Sequence, residues 1–164
     1  MQYAFALLLL LQGLNDLVDG VQRNFARMKD YTADFTQISK DVLNRRQEGA
    51  GHLYLLRPGK GRWEYTRPEE QYWISDGKTV YFYVPLDKQV TRDRARDVFD
   101  DRMPLMFLLG RSNLRSEFTQ FEELPIKPVV AGTRVVRMTP KRKTDLKDLI
   151  MEVDPATFQI RRLV

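Results

Sequence analysis

The sequence of 164 residues contains no cysteine and a single histidine, His52. Without cysteine, disulfide bonds and thiol chemistry are excluded. With one histidine, zinc sites and Ser-His or Cys-His catalysis lack most of their usual parts. Two adjacent acidic pairs, Glu69-Glu70 and Asp100-Asp101, fall in expected turns, where neighbouring side chains do not converge on one point. We therefore predict no catalytic residues, no metal site, no cofactor and no enzymatic activity.

Long apolar runs are also missing. The longest near the N-terminus, Tyr3 to Leu11, is too short to span a bilayer and resembles the apolar region of a secretory signal. No lysine or arginine precedes this run, and no Ala-x-Ala cleavage site follows it. We interpret residues 1–13 as a signal-peptide remnant or an extension of the first helix. Residues 14–164 show no repeat or linker and are expected to form one domain.

The net charge is +5, and the basic residues are scattered rather than clustered. This pattern favours solubility first and attraction to an anionic partner or membrane second. No recognition-helix or RNA-binding motif accompanies the charge, so nucleic acid is not an expected partner.

Hydrophobic periodicity divides the chain into one helix and many strands. Apolar residues at helical spacing follow the N-terminal run and predict a helix that packs on a sheet: Leu14, Leu17, Val18, Val21, Phe25 and Met28. From Tyr31 onward the period is two, with a polar loop expected at 44–49 and a hairpin at Asp76-Gly77. The predicted fold is mainly β, an incomplete antiparallel barrel made of one curled sheet, whose concave apolar face is covered by the N-terminal amphipathic helix and a short helical lid.

The predicted concave face and the lid are both apolar. The strand phases collect the following residues on the face: Phe35, Leu53, Leu55, Trp63, Tyr65, Phe82 and Val84. Between the strands, Met103 to Leu109 predicts a short helix that begins near Pro104 and stops at Gly110. An all-round apolar helix must be covered on more than one side, so it is either a buried plug or the cap of an apolar hollow. We expect the second, with Leu105, Met106 and Leu109 facing the hollow on the sheet.

Arg57 shares its strand face with Leu53 and Leu55 although it carries a permanent charge. The free carbonyls at the end of the lid helix could accept its hydrogen bonds. Alternatively, Arg57 lies at a strand end and extends to water beside Pro58. The residues alone leave both readings open.

Several motifs occur in a characteristic order: Phe35-Thr36-Gln37, Gly51-His52-Leu53-Tyr54-Leu55-Leu56-Arg57-Pro58, Trp63, Ser75-Asp76-Gly77-Lys78, Pro104 to Leu109 and Thr139-Pro140-Lys141. The most specific part is the Arg57-Pro58 pair followed by Trp63. With these motifs the chain, from near Leu14 to its end, resembles the periplasmic outer-membrane lipoprotein carrier of the Gram-negative Lol sorting pathway.

The resemblance implies a periplasmic, monomeric carrier with an unclosed antiparallel barrel and a helical lid. Its cargo would be acylated lipoproteins, received from an inner-membrane ABC transporter and delivered to an outer-membrane receptor. Arg57 would hold the lid through hydrogen bonds to lid backbone, and Trp63 and Leu105 would line the lipid cavity. The family usually continues with further strands, so a C-terminally truncated member is expected. The alternative is a periplasmic sensor of the same fold that binds lipid or lipoprotein and regulates envelope stress.

Overall fold

The computed structural model describes residues 2–40, 43–98, 108–110, 112–143 and 147–164, and for residues 2–12 it describes the backbone. The helices in these ranges are α1 (Gln2–Arg27), α2 (Ala95–Val98) and α3 (Leu114–Glu117). The strands are β1 (Asp30–Lys40), β2 (Arg46–Leu56), β3 (Lys60–Arg67), β4 (Gln71–Asp76), β5 (Thr79–Val84), β6 (Gln89–Arg94), β7 (Phe118–Glu123), β8 (Arg134–Pro140), β9 (Leu149–Val153) and β10 (Ile160–Leu163). These helices and strands belong to two compact units. One contains β1 to β6 with residues 108–110, and the other contains α1 and β7 to β10.

The first unit is a six-stranded antiparallel sheet in which the strands follow one another in sequence order, β1-β2-β3-β4-β5-β6. The Asp76-Gly77 hairpin that the sequence predicts joins β4 to β5. The carboxylate of Asp76 accepts hydrogen bonds from the backbone N–H groups of Lys78 and Thr79, each at 2.7 Å. Gly77 has a φ of +95°, which a residue without a side chain adopts at little cost. The turn residues therefore fix the register of this hairpin.

The polar loop expected at 44–49 is wrong over its last four residues, because β2 already begins at Arg46. Residues 46–49 pair with β1, where Glu48 lies opposite Ile38 and Gly49 opposite Gln37. The neighbouring strand β3 reaches only as far as Ala50. In this two-stranded extension most side chains on both faces are exposed, so its polar composition resembles that of a loop although its backbone is paired.

The second unit packs α1 on a four-stranded antiparallel sheet with the order β10-β9-β8-β7. Most of the predicted helical stripe is buried in this unit, namely Leu14, Leu17, Val18, Val21 and Phe25. The buried strand residues include Val135, Val136, Met138, Met151 and Val153. Gly20 allows a close approach, because a Cβ atom there would overlap the ring of Phe158. The predicted packing of the helix on a sheet is confirmed, but this sheet is the four-stranded one, whereas the residues predicted for the concave face lie in strands of the six-stranded sheet. Met28 lies beyond the helix end at Arg27.

The mainly β, antiparallel and unclosed fold class is confirmed. In detail, the ten described strands form two sheets rather than the single sheet that we expected. Neither sheet is closed, because its first and last strands do not pair with each other. The reason is pairing: β6 is followed by α2, and β7 bonds to β8 along its length. Among the described residues no helix combines the length and apolarity needed to cross a membrane. The separate assignment of residues 1–13 stays a prediction.

Candidate functional site

The antiparallel register brings the predicted cavity residues of the strands onto one face of the six-stranded sheet. Residues directly opposite each other in neighbouring strands share a face. The pairs Leu53–Trp63, Trp63–Trp73 and Trp73–Phe82 therefore form one apolar row across four strands. We call this side of the sheet the aromatic face. The same register places these further residues on it: Phe35, Leu55, Tyr65 and Val84.

Trp73 is the residue of the aromatic face that the sequence analysis missed. Its ring centroid lies 4.3 Å from that of Phe82, and 37% of the residue is exposed. The available signal was the two-residue period of β4 combined with the Asp76-Gly77 turn, which sets Trp73 opposite Phe82. Trp73 extends the apolar row between Trp63 and Phe82, so the row has no polar interruption.

Close packing holds the centre of this face in place. Leu55 is buried, and Leu53, Trp63, Tyr65 and Phe82 are half-buried. The side chains of Leu55 and Trp63 both fold over Gly61, where a Cβ atom would lie 2.9 Å and 2.8 Å from them. A larger residue at position 61 would therefore push both side chains away from the sheet.

Arg57 lies at one end of the aromatic face, directly after β2. Its backbone N–H donates to the carbonyl of Lys29 at 2.8 Å. Its guanidinium occupies the space that a Cβ atom at Gly110 would need. Burial lowers the pKa of Arg57, because the charged form loses contact with water. The geometry thus places Arg57 against the backbone of residue 110, whereas its role as a lid latch stays a prediction.

One hydrogen bond joins the same turn to the segment 108–110, and a second anchors the turn to β4. The N–H of Gly59 donates to the carbonyl of Leu109 at 3.0 Å, and the buried hydroxyl of Ser75 donates to the carbonyl of Gly59 at 2.8 Å. Leu109 itself is 4% exposed. Gly110 has the left-handed φ of +71° that suits a residue following a helix. The predicted lid residues Met103, Leu105 and Met106 lie outside the described residues.

The described part of the chain offers no group of three or more acidic or histidine side chains that could hold a metal ion. His52 lies on the opposite face of the sheet, exposed, with its Nδ1 atom 2.6 Å from a carboxylate oxygen of Asp34. The groups gathered on the aromatic face are mainly hydrocarbon and aromatic rings. Such a surface suits contact with apolar groups.

Comparisons with known proteins show which family this chain is similar to. The family model of the outer membrane lipoprotein carrier protein LolA matches residues 26–163. The chain is 43% identical to the outer-membrane lipoprotein carrier protein of Methylococcus capsulatus over 88 residues, which cover 53% of this chain and 42% of that protein. It is 29% identical to the carrier protein of Proteus mirabilis over 141 residues, 85% of this chain and 66% of the other.

Among solved structures, the crystal structure of a LolA superfamily protein from Nitrosomonas europaea matches 90% of this chain and 68% of its own, with 10% identity and a TM-score of 0.42. The matched part of this chain spans 42% of the Methylococcus carrier and 66% of the Proteus carrier. Because the family model covers most of the sequence, the chain belongs to the outer membrane lipoprotein carrier protein LolA family.

Proposed function

We propose that the aromatic face shields the acyl chains of lipoproteins, and that the protein carries these lipoproteins across the periplasm. The inner-membrane lipoprotein-releasing ABC transporter would supply the cargo, and an outer-membrane receptor would accept it. The proposal rests on one observation, the apolar row of Leu53, Trp63, Trp73 and Phe82, whose members stay partly exposed. A partly exposed apolar row on a sheet offers area that an acyl chain can remove from water.

The energetics favour such a carrier. Each CH₂ group of an acyl chain that is buried contributes about 0.8 kcal/mol, so a lipoprotein does not leave a membrane without an apolar surface to receive it. Aromatic rings supply a large area per residue and are already held in place by their neighbours in the sheet. The chain would therefore bind acyl groups without ordering new structure on the strands.

Release requires that the empty protein form favourable contacts of its own when the cargo departs. The contacts of the turn after β2 with residues 108–110 would supply it, because Gly59 bonds to Leu109 and Arg57 packs on Gly110. If cargo displaces these contacts, they compete with it and keep the net affinity moderate. Transfer to a receptor with a better pocket then needs no further energy source at this step.

Native mass spectrometry with a triacylated peptide tests binding directly. We expect the protein to retain the peptide, and Trp63→Glu to abolish retention while the sheet still folds. The predicted lid residue gives a second variant, Leu105→Glu, with the same expected loss. Tyr54→Glu is the matched control, because Tyr54 is an exposed aromatic residue on the opposite face. Equal loss in Tyr54→Glu and Trp63→Glu would reject the aromatic face as the binding surface.

A transfer assay separates a carrier from a lipid sensor. Loaded protein is mixed with an outer-membrane lipoprotein receptor, and the acylated peptide is followed between the two. A carrier gives up its cargo, and Arg57→Leu is expected to retain it longer because the empty state loses its contact with residue 110. Binding without any transfer would favour the sensor, and unchanged transfer in Arg57→Leu would reject the latch.

A further inference from the structure

The aromatic face changes in polarity along its strands. Beyond the apolar row, in the direction away from Arg57, the next residues on β3 and β4 are Tyr65 and Gln71, which lie opposite each other. One step further, Gln37 of β1 lies opposite Gly49 of β2. Arg57 follows β2 and lies six residues from Gly51, the partner of Tyr65. At about 3.3 Å per residue, Arg57 and the polar end of the face are therefore about 20 Å apart. The face therefore has an apolar centre and a polar end.

Two glycines allow the side chain of Tyr65 to cross the sheet at this end. A Cβ atom at Gly49 would lie 3.3 Å from the Tyr65 ring, and one at Gly51 would overlap the backbone carbonyl of Glu64. Strand β2 is therefore bare at both positions, and the tyrosine passes over it to β1. Its hydroxyl donates to Oε1 of Gln37 at 2.8 Å.

The tyrosine is held in this position. The Phe35 ring meets it edge to face, with centroids 5.1 Å apart and an interplanar angle of 81°. Burial raises the pKa of the Tyr65 hydroxyl, because the phenolate loses contact with water, so the hydroxyl remains a donor at neutral pH. A fixed O–H donor in turn orients the carboxamide of Gln37, whose oxygen it binds.

The Nε2 group of Gln37 then points away from Tyr65 with two N–H donors. In the ranges that the structure describes, these donors have no protein partner. Gln37 is exposed, so the donors are accessible to a ligand lying on the aromatic face. A ligand that lies on the aromatic face and extends along β1 past Phe35 would meet a hydrogen-bond donor where the apolar side chains stop.

We propose that Gln37, positioned by Tyr65, donates a hydrogen bond to the ester carbonyl that links an acyl chain to the lipoprotein terminus. This inference rests on the proposed function. An ester carries acceptors and no donor, and a carbonyl that loses water on binding needs a donor from the protein. The indole N–H groups of Trp63 and Trp73 lie within the apolar row, and the Tyr65 hydroxyl already donates to Gln37. At the polar end of the face the carboxamide of Gln37 can supply the donor.

The test compares two ligands that differ only in this acceptor. One is a short peptide with a triacylated N-terminal cysteine, and the other carries ether-linked chains of the same length in place of the ester-linked ones. Affinities are measured by the change in tryptophan fluorescence. One neutral hydrogen bond corresponds to about a fivefold to tenfold preference for the ester ligand in the unmodified protein.

Two variants remove the donor in different ways. Gln37→Met replaces the carboxamide by an apolar group of similar length, and Tyr65→Phe removes the hydroxyl that positions it. In both variants the ratio of the ester affinity to the ether affinity is expected to fall to about one. Gln120→Met is the control, because Gln120 is an exposed glutamine of the four-stranded sheet.

Retained preference for the ester ligand in Gln37→Met would overturn the inference, and so would an equal loss for both ligands, which indicates a structural effect. In either case the proposed function stands as long as the unmodified protein binds acyl chains. If the unmodified protein binds neither ligand, the proposed function fails and this inference fails with it.

Discussion

The guanidinium of Arg57 fills the space that a Cβ atom at position 110 would need, so a larger residue there must displace it. Gly110 is also in the left-handed region, with φ of +71°. A substitution at this position therefore meets two separate obstacles, an unfavourable backbone conformation and a steric overlap. The cost of the backbone conformation and the cost of the overlap can be measured separately, because the chain contains another glycine that has the left-handed conformation without the overlap.

Gly110→Ala is expected to lower the free energy of unfolding by about 2–3 kcal/mol. The matched control is Gly132→Ala: Gly132 has φ of +80°, but no atom lies within 4 Å of its Cβ position, so only about 1 kcal/mol is expected. Urea unfolding measures both. Removing the guanidinium with Arg57→Ala should reduce the cost of Gly110→Ala to that of the control, whereas strictly additive effects would show that Arg57 and residue 110 do not interact.

Gly51→Ala and Gly13→Ala are expected to change stability in opposite directions. At Gly51 a Cβ atom would overlap a backbone carbonyl, which cannot move without disturbing β3, so a loss of about 3 kcal/mol is expected. At Gly13, inside α1, the nearest atom to a Cβ is 4.0 Å away, so alanine should stabilise the helix by about 0.5–1 kcal/mol. Thermal or urea unfolding compares the two, and a gain in stability for Gly51→Ala would contradict the close approach of β2 and β3.

Trp73→Ala tests whether the residue that sequence reasoning missed contributes to binding. Removing this ring interrupts the apolar row between Trp63 and Phe82, so affinity for a fluorescent acyl probe is expected to fall about tenfold. Tyr54→Ala removes an exposed ring from the opposite face and is expected to leave the affinity unchanged. Unchanged affinity in Trp73→Ala would mean that the acyl chain lies elsewhere on the protein.

Local sequence patterns predicted the features that local physics determines. The period-two runs and the Asp76-Gly77 pair correctly predicted the hairpin that joins β4 to β5. Burial also confirms the stripe of α1, from Leu14 to Phe25. Both patterns depend on contacts between residues close in sequence or on a single buried face.

Features set by distant pairing were not predictable in the same way. Residues 46–49 are a strand only because β1 lies beside them, and their polar side chains carry no sign of it. The division into two sheets depends on β7 pairing with β8, which no short window of sequence specifies. The row through Trp73 likewise required the register of three strand pairs.

Glu152 shows the same limit for a single residue. A glutamate in a strand predicts an exposed position, yet Glu152 is 2% exposed. Its carboxylate accepts hydrogen bonds from the N–H of Val130 at 2.8 Å, from Arg162 at 2.8 Å and from the hydroxyl of Thr133 at 3.3 Å. All these donors come from outside β9, so the partners that make burial possible are brought together only by the folded unit.

The buried carboxylate makes stability depend on pH. Burial by itself raises the pKa of Glu152, but the hydrogen bonds from Val130, Val129, Arg162 and Thr133 outweigh burial and hold the pKa below its usual value of 4.5. A carboxyl group whose pKa is lower in the folded state stabilises the protein above its unfolded pKa. This stabilisation is lost as the pH falls through the folded pKa.

Glu152→Gln is therefore expected to lower the free energy of unfolding by about 3 kcal/mol at pH 7, because the charged partner of Arg162 is lost inside the fold. At pH 3 the difference from the unmodified protein should shrink, since the glutamate itself becomes protonated as the pH falls. Urea unfolding at the two pH values measures both quantities. At pH 7, Glu48→Gln removes an exposed carboxylate that pairs with Arg46 and should cost no more than about 0.5 kcal/mol. A difference for Glu152→Gln that is equally large at pH 7 and pH 3 would show that its charge does not stabilise the fold.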